Sequence, residues 1–175
     1  MIKKTLEASI LFSILDLSSQ IRLRGDLIYN FAGITTQQYI VMLHLANDPN
    51  IPFLKDHKKK MMASELADSM KISRPGITNI LKTLIQKGLV QQVEDKDDRR
   101  QKRLDLTHNG RILIEEIEPL RVQANKSFLS QFSKKEKEQF FSFIQSCSTY
   151  AKEQLENPAT LEKMHDRIKT RKVDS

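Results

Sequence analysis

Two short amphipathic segments separated by only three residues constrain this chain more than any other feature. Apolar residues recur at helical spacing over residues 63–70 and again over residues 74–87, and residues 71–73 interrupt the pattern. This is the spacing of a helix-turn-helix. Ser73 is a good N-cap for the second helix, and Pro75 is tolerated in its first turn because the missing N–H would have no intrahelical acceptor.

A β-hairpin pattern follows the second segment directly. Residues 88–90 end the helix and begin a strand, residues 94–98 form a polar turn, and residues 104–106 alternate as a half-buried strand does. Basic side chains crowd residues 99–103, near the tip. A helix-turn-helix followed immediately by a hairpin with a basic tip is a winged helix. We therefore predict a mainly α fold, in the α+β class, with a small hairpin wing.

The outward face of the second helix of the pair is polar and free of acids. No Asp or Glu lies between Lys71 and Lys87. Hydroxyl, amide and cationic groups on such a face match the donor and acceptor edges of a DNA major groove. A solvated polar face is the alternative interpretation, and the basic hairpin that follows favours DNA binding. The predicted contacts on this helix are Ser73, Arg74, Pro75, Gly76, Thr78, Asn79 and Lys82.

Positive charge is concentrated in the same part of the chain. Residues 51–110 contain thirteen Lys and Arg against eight Asp and Glu, whereas residues 1–50 contain four of each. The whole chain has a formal charge of +7 and a pI of about 9.5, which suits a polyanionic partner. The polar loop over residues 49–62 contains the run Lys58-Lys59-Lys60, and these lysines are either solvated or in contact with phosphates.

Long apolar helical patterns flank the central segment. Residues 5–31 are apolar on more than one stripe, so this helix needs cover on more than one side. That requirement indicates a partner subunit, and a central core helix of a monomer is the alternative. Thr35 followed by Gln38 is a capping box that begins a second helix, which runs to about Ala46.

Two more helices are predicted after the hairpin. The first runs from Thr107 to about Ser130 and is expected to kink at Pro119. Ser133 with Glu136 is another capping box and opens the last helix, whose phenylalanines indicate core or interface packing. The predicted organisation is an N-terminal dimerisation helix at 1–32, a winged helix-turn-helix domain at 33–107, C-terminal dimerisation helices at 108–157 and a tail at 158–175.

Composition and motifs disfavour several other classes of protein. The single cysteine, Cys147, excludes an internal disulfide framework and a zinc site of paired thiolates, and its neighbouring phenylalanines predict an inert packing residue. No apolar stretch approaches the roughly 18 residues of a transmembrane helix, so we expect a cytoplasmic protein without a membrane partner. The four histidines lie far apart, without a metal, nucleophile or phosphate-loop motif. We expect no enzyme, catalytic residue, cofactor or metal site.

The motifs through the winged helix, taken together, resemble one known family. They are Ser64-Glu65-Leu66-Ala67, the run from Ser73 to Thr78, Lys87-Gly88-Leu89-Val90, Asp98-Arg99-Arg100, and Leu106-Thr107 with Gly110. This pattern looks like the MarR family of bacterial transcriptional regulators. The flanking helices look like that family's dimerisation helices, so the resemblance covers about residues 5–155.

The resemblance implies a function and a set of wing contacts. Members act as homodimers on near-palindromic double-stranded DNA, usually as repressors, and many release DNA when a small phenolic or lipophilic effector binds. By resemblance, Arg100 enters the minor groove and Asp98 helps to hold the wing. The predicted wing contacts are Asp98, Arg99, Arg100 and Lys102. The alternative function is a winged-helix module that contacts another protein without specific DNA binding.

Three features depart from the family pattern. Met62 stands where a hydroxyl N-cap is usual, so the first helix of the motif is expected to begin differently or to fray. The 49–62 connection is longer than usual. The peroxide-sensing branch uses a cysteine near the N-terminal helix, and because this chain has only Cys147, peroxide sensing of that kind is not expected.

Overall fold

The computed structural model describes residues 3–52, 60–95, 97–157 and 159. The chain divides into two compact units, one ending at Arg121 and the other beginning at Val122. The elements are α1 (Leu6–Tyr29), a 3-10 turn (Asn30–Ala32), α2 (Thr36–Leu45), α3 (Ala63–Met70), α4 (Arg74–Gln86), β1 (Val90–Glu94), β2 (Lys102–Leu106), α5 (His108–Phe128) and α6 (Lys134–Glu156). These helices and the antiparallel β1–β2 hairpin confirm the predicted winged helix-turn-helix fold.

Helices α1 and α2 are joined at a tight reversal. The chain turns at Gly33, whose φ of 64° lies in the left-handed region that glycine adopts without strain. The predicted capping box opens α2: Thr35 Oγ1 accepts from the Gln38 N–H at 3.2 Å, and Gln38 Oε1 accepts from the Thr35 N–H at 3.1 Å. Thr36 then ties α2 to α1, because its Oγ1 donates to the carbonyl of Arg22 at 2.9 Å.

The helix-turn-helix pair packs its apolar face into the core of the first unit. Of the apolar residues predicted to face inward, Leu66, Ala67, Ile77, Leu81 and Leu84 are buried, whereas Met70 and Ile80 are half-buried against the same core. The core consists of Tyr29, Ile34, Tyr39, Val41, Met42, Leu43, Met61, Leu66, Ala67, Ile77, Leu81, Leu84, Leu89, Val90, Leu104, Leu106 and Ile117. Because one face of each helix is used in this way, the opposite face of α4 is left for a partner.

The turn between α3 and α4 has the predicted length. Lys71 has a φ of 55°, and this left-handed residue lets the Ile72 N–H donate back to the carbonyl of Ala67 at 3.0 Å. Ser73 is the N-cap of α4, since its Oγ accepts from the Gly76 N–H at 3.3 Å. The turn therefore ends one helix and starts the next within three residues.

Met62 occupies the N-cap position of α3, as the departure from the family pattern suggested. The Glu65 carboxylate compensates in part, because it accepts from the Met62 N–H at 2.7 Å. Helix α3 thus begins at Ala63 with a glutamate at its third position and without a capping hydroxyl.

The wing is a five-residue ladder between β1 and β2, in which Val90 lies opposite Leu106. Thr107 anchors its base, because the Thr107 Oγ1 donates to the carbonyl of Gly88 at 2.6 Å and accepts from the Gly110 N–H at 3.0 Å. The Leu-Thr-x-x-Gly stretch therefore connects the wing to the start of α5.

Helices α5 and α6 begin and end close to the predicted positions. Helix α5 runs through Pro119 and ends at Phe128. Helix α6 opens with the predicted capping box of Ser133 and Glu136. Cys147 is exposed, as are the residues around it on α6, so the prediction that it is a packing residue is wrong for the single chain. The physical reason is that the apolar face of α6 has no cover in one copy of the chain.

Several predictions concern segments that the structure does not describe. Lys58, Lys59 and nearly all of the predicted tail lie outside the described residues. In the part of the chain that is described, no helix combines the length and the apolar content that a membrane crossing requires.

Candidate nucleic-acid interface

Helix α4 presents the predicted polar face to solvent. Its predicted contacts Arg74, Pro75, Thr78, Asn79 and Lys82 are exposed, as is the N-cap Ser73, whereas Gly76 is half-buried. Gly76 lies in the first turn of α4, where a Cβ would crowd the Ile72 side chain. The positive end of the helix dipole lies at this N-terminus, which is where phosphates bind most favourably.

The functional groups on this face are available to a partner. Arg74 and Lys82 pair with no carboxylate in the described parts of the chain. The Thr78 hydroxyl donates to the carbonyl of Arg74 at 2.8 Å and keeps its acceptor lone pairs. Asn79, on the next position, is exposed as well.

The tip of the wing presents two arginines. Asp98 shapes this turn, because its Oδ1 accepts from the Arg100 N–H at 3.0 Å and its carbonyl accepts from the Gln101 N–H at 2.9 Å. Arg99 and Arg100 are both exposed on it. Asp98 therefore holds the turn through hydrogen bonds to the backbone, and the guanidinium groups point to no carboxylate among the described residues.

Lys102 differs from the two arginines. It lies opposite Glu94 in the ladder, and its Nζ is 3.0 Å from the Glu94 carboxylate. Its charge is partly neutralised by this exposed pair. Of the three cationic residues among the predicted wing contacts, Lys102 is the one whose charge is already paired with a carboxylate.

The lysine run in the long loop is only partly described. Its last member, Lys60, pairs with the Asp105 carboxylate at 2.6 Å, and Asp105 also binds Arg111 at 2.8 Å. Lys60 therefore attaches the end of the loop to strand β2. This ion pair indicates that Lys60 has a structural role and does not favour the alternative of a phosphate contact.

Sequence reasoning missed a cluster that supports the wing, which we name the wing brace: Lys60, Glu65, Asp95 and Arg103. Asp95 is buried, with 6% of its surface exposed, and it accepts from the Arg103 Nε. The hydrogen bond from Arg103, followed by two backbone N–H groups, lowers the pKa of Asp95 to about 2. Asp95 follows β1 and Arg103 lies in β2, but the sequence pattern placed Asp95 in a polar turn and Arg103 among the basic residues near the wing tip, without pairing them.

A cavity of about 490 Å³ lies in the first unit between α1, α2 and the helix-turn-helix. Its lining consists of Ser18, Ile21, Arg22, Thr36, Gln37, Ile40, His44, Ser69, Met70 and Ile72. Arg22 contributes a cation. His44 is buried, and this burial lowers the pKa of the imidazole, whose Nδ1 lies 2.9 Å from the carbonyl of Ile40. The cavity is mostly apolar with a few polar groups, as sites for small organic molecules are.

No group of three or more His, Cys, Asp or Glu residues in the described part of the chain is arranged to hold a metal ion. The candidate nucleic-acid interface consists of the α4 face and the wing tip, and the wing brace supports the wing tip.

A helix-turn-helix with an exposed acid-free second helix, followed by a hairpin with a basic tip, defines a winged helix-turn-helix protein. Residues 32–101, which contain most of the winged helix, match the model of the MarR family. The resemblance seen in the sequence motifs is thereby confirmed.

Individual relatives agree with this assignment. The chain is 36% identical over 90 residues to the HTH-type transcriptional regulator FarR of Neisseria gonorrhoeae, a match that covers 51% of this chain and 55% of FarR. The chain thus spans about half the length of this relative.

Two solved structures share the fold. MepR of S. aureus, in a complex with DNA, matches with a TM-score of 0.69 and 19% identity over 84% of this chain and 99% of MepR. A MarR/EmrR family transcriptional regulator from Acinetobacter sp. ADP1 matches with a TM-score of 0.71 and 16% identity over 86% of this chain and 99% of that regulator.

Proposed function

We propose that this chain is a sequence-specific double-stranded DNA-binding transcriptional regulator, acting in the cytoplasm as a homodimeric repressor on a near-palindromic operator. The observation that carries the proposal is the α4 face: exposed, free of acids and immediately followed by a wing with two exposed arginines at its tip. FarR, its relative in sequence, is a transcriptional regulator, and MepR, its relative in fold, was solved with DNA.

The two parts of the surface have different tasks in this proposal. Helix α4 enters the major groove with its N-terminal end, where Ser73, Arg74, Thr78 and Asn79 lie within the first two turns and reach base edges and phosphates. The wing tip contacts the neighbouring minor groove, whose negative potential favours arginine. Helix α4 therefore reads sequence, and Arg100 adds affinity and senses groove width.

Titration of variants against DNA tests this division. The operator is first selected from a random pool, and binding to matched and shuffled duplexes is then measured by fluorescence anisotropy at two salt concentrations. Asn79→Ala should reduce discrimination between the duplexes by about 1 to 3 kcal/mol if the amide makes a bidentate base contact. Arg100→Ala should weaken binding to both duplexes and lower the salt slope by about 1 for each phosphate that is no longer neutralised.

The matched control for Arg100→Ala removes one positive charge from helix α6. Lys134 on α6 is almost fully exposed, with 92% of its side chain accessible, so Lys134→Ala tests whether the loss of any positive charge suffices. We expect it to leave both affinity and discrimination unchanged. If Asn79→Ala and Arg100→Ala bind every duplex as the wild type does, the chain is instead a winged-helix module for protein contact, the alternative function.

A small lipophilic or phenolic effector completes the proposal. The cavity of about 490 Å³ contacts both α1 and the turn of the helix-turn-helix, and Arg22 offers a cation to an acidic or phenolic group. A ligand there would couple to DNA binding, and such couplings typically change affinity by about 5- to 150-fold. Aromatic carboxylates should raise the melting temperature of the wild type, and Arg22→Ala should abolish the shift. Arg24→Ala, two residues along α1, is the control, and a shift unaffected by Arg22→Ala contradicts this site.

A further inference from the structure

We propose that Arg103 is a positioning residue for DNA binding, which fixes the wing against the first helix of the helix-turn-helix so that Arg99 and Arg100 are held in a binding geometry. This inference rests on the proposed function. Only 14% of the Arg103 side chain is exposed, so its guanidinium group is occupied within the protein rather than offered to a partner.

The Arg103 guanidinium joins three segments of the chain. Its Nε donates to the Asp95 carboxylate at the end of β1. Its Nη1 donates to the carbonyl of Lys60 at 2.7 Å and lies 3.5 Å from the Glu65 carboxylate on α3. A planar guanidinium with donors in a fixed fork can serve several acceptors at once, which an ammonium group cannot do in the same geometry.

Asp95 passes this constraint on to the wing tip. Its Oδ1 accepts from the N–H groups of Asp97 at 2.7 Å and Asp98 at 3.1 Å. Asp98 in turn accepts from the Arg100 N–H at 3.0 Å. An ion pair with Glu65 therefore connects α3 to Arg103, and a series of hydrogen bonds continues from Arg103 through Asp95 to the backbone that presents Arg100.

The wing needs such support because it has only two strands. An isolated two-stranded hairpin is marginally stable in water, so contacts outside the ladder must set its orientation. Strand β2 makes further contacts outside the ladder, since the Leu104 N–H donates to the carbonyl of Met61 at 2.8 Å and Lys60 pairs with Asp105. These contacts attach β2 to the segment before α3, whereas those of Arg103 with Asp95 restrain the turn. A tip ordered in advance loses less conformational entropy on binding.

A double-mutant cycle separates positioning from general stability. Arg103→Lys keeps the charge and loses the fork, and we expect it to weaken operator binding about tenfold, as loss of a hydrogen bond to a charged group does. If Arg103 acts through the wing tip, Arg100→Ala costs less in the Arg103→Lys background than in the wild type. Asn79→Ala should cost the same in both backgrounds, because α4 does not depend on the wing turn.

Arg111→Lys is the matched control. The Arg111 guanidinium also binds an acid of strand β2, Asp105, and this ion pair lies away from the wing turn. We expect Arg111→Lys to bind the operator as the wild type does and to leave the full cost of Arg100→Ala intact. Additive effects of Arg103→Lys and Arg100→Ala, or wild-type binding by Arg103→Lys, would overturn the proposal.

Amide hydrogen exchange tests the proposal without DNA and distinguishes a loosened wing turn from general destabilisation of the fold. In the free protein, the amides of Asp97, Asp98 and Arg100 should exchange faster in Arg103→Lys, while core amides of α4 exchange at the wild-type rate. If Arg103→Lys fails to fold, Asp95→Asn breaks the same hydrogen bond from the other side and is measured in its place. Unchanged exchange at the turn contradicts the wing brace, whereas failure of the wild type to bind a selected operator contradicts only the proposed function.

Discussion

At the scale of single residues, two buried glycines allow close approaches between helices and their neighbours. A Cβ on Gly25 of α1 would overlap the Oγ1 of Thr36, and a Cβ on Gly110 of α5 would overlap the carbonyl oxygen of Leu89. The two neighbours differ in kind, because one is a side-chain atom that can be removed and the other belongs to the backbone.

That difference leads to a prediction for the α1–α2 contact. Gly25→Ala should lower the free energy of unfolding by about 1 to 3 kcal/mol, the usual cost of overpacking, and the cost should be smaller in a Thr36→Ala background. Gly110→Ala should be at least as costly, with no side-chain substitution that relieves it. Urea unfolding of the single and double variants measures both. An equal cost of Gly25→Ala with and without the Thr36→Ala substitution would contradict the steric account.

The sequence predicted the roles that depend on neighbouring residues, and it did not predict contacts between residues far apart in the chain. The caps at Thr35, Ser73 and Ser133 were found from the sequence because each depends on residues at most three positions away. The wing brace was missed because the contact of Arg103 with Lys60 joins residues 43 positions apart. No helical or strand periodicity encodes such a pairing.

At the scale of elements, α6 depends strongly on its N-terminal cap. The Ser133 Oγ accepts from the Glu136 N–H at 3.3 Å, and the Glu136 carboxylate accepts from the Ser133 N–H at 2.8 Å and from its hydroxyl at 2.7 Å. These hydrogen bonds, the one from the Ser133 side chain first, lower the pKa of Glu136. Because no described residue of α6 is buried in one chain, the cap is a large part of its local stability.

The cap gives a prediction with a defined pH dependence. Ser133→Ala should lower stability by about 1 kcal/mol near pH 7, as removal of an N-cap does. The folded-state pKa of Glu136 lies below its unfolded value, so its contribution is present above the unfolded pKa and is lost as the pH falls through the folded pKa. The difference between wild type and Ser133→Ala should therefore shrink in acid. Helix content followed by circular dichroism during urea titration measures it, and a difference independent of pH would count against this cap.

Element boundaries were predictable for a related reason. Ser73, Gly88 and Ser133 mark the beginnings and ends of helices through their own backbone chemistry, and the observed helices agree with the predicted ones within a few residues. Burial in α6 was not predictable. An apolar stripe indicates that one face of a helix packs against something, but it does not identify the element or subunit that buries it. Cys147 illustrates the limit: its neighbours predicted packing, and it is exposed in the single chain.

At the scale of the whole molecule, many large apolar side chains of α1 and α6 are exposed to solvent in one copy of the chain. Leu27 of α1 is 82% exposed, Phe12 is 72% exposed and Phe143 of α6 is 69% exposed. The other largely exposed apolar residues of these two helices include Leu6, Leu11, Leu15, Leu23, Phe141, Tyr150 and Leu155. So many large apolar side chains exposed on one helix are unusual in monomers and are typical of an interface. This surface supports the predicted homodimer through α1 and the C-terminal helices.

The dimer prediction can be tested at the level of assembly and of DNA. We expect the wild type to sediment as a dimer at micromolar concentration and Ile14→Glu and Phe143→Glu to shift toward monomer. Gln145→Glu should remain dimeric, because it adds the same charge at another position of α6.

A two-fold dimer requires half-sites about one helical turn, roughly 34 to 36 Å, apart on the DNA. Inserting five base pairs between the half-sites turns one half-site to the opposite side of the duplex, so affinity should fall toward that of a single half-site. An insertion of ten base pairs returns both half-sites to the same side of the duplex but separates them by more than a rigid dimer can span, so this DNA should also be bound weakly. A stable wild-type monomer, or affinity that does not change with half-site spacing, would contradict the dimer.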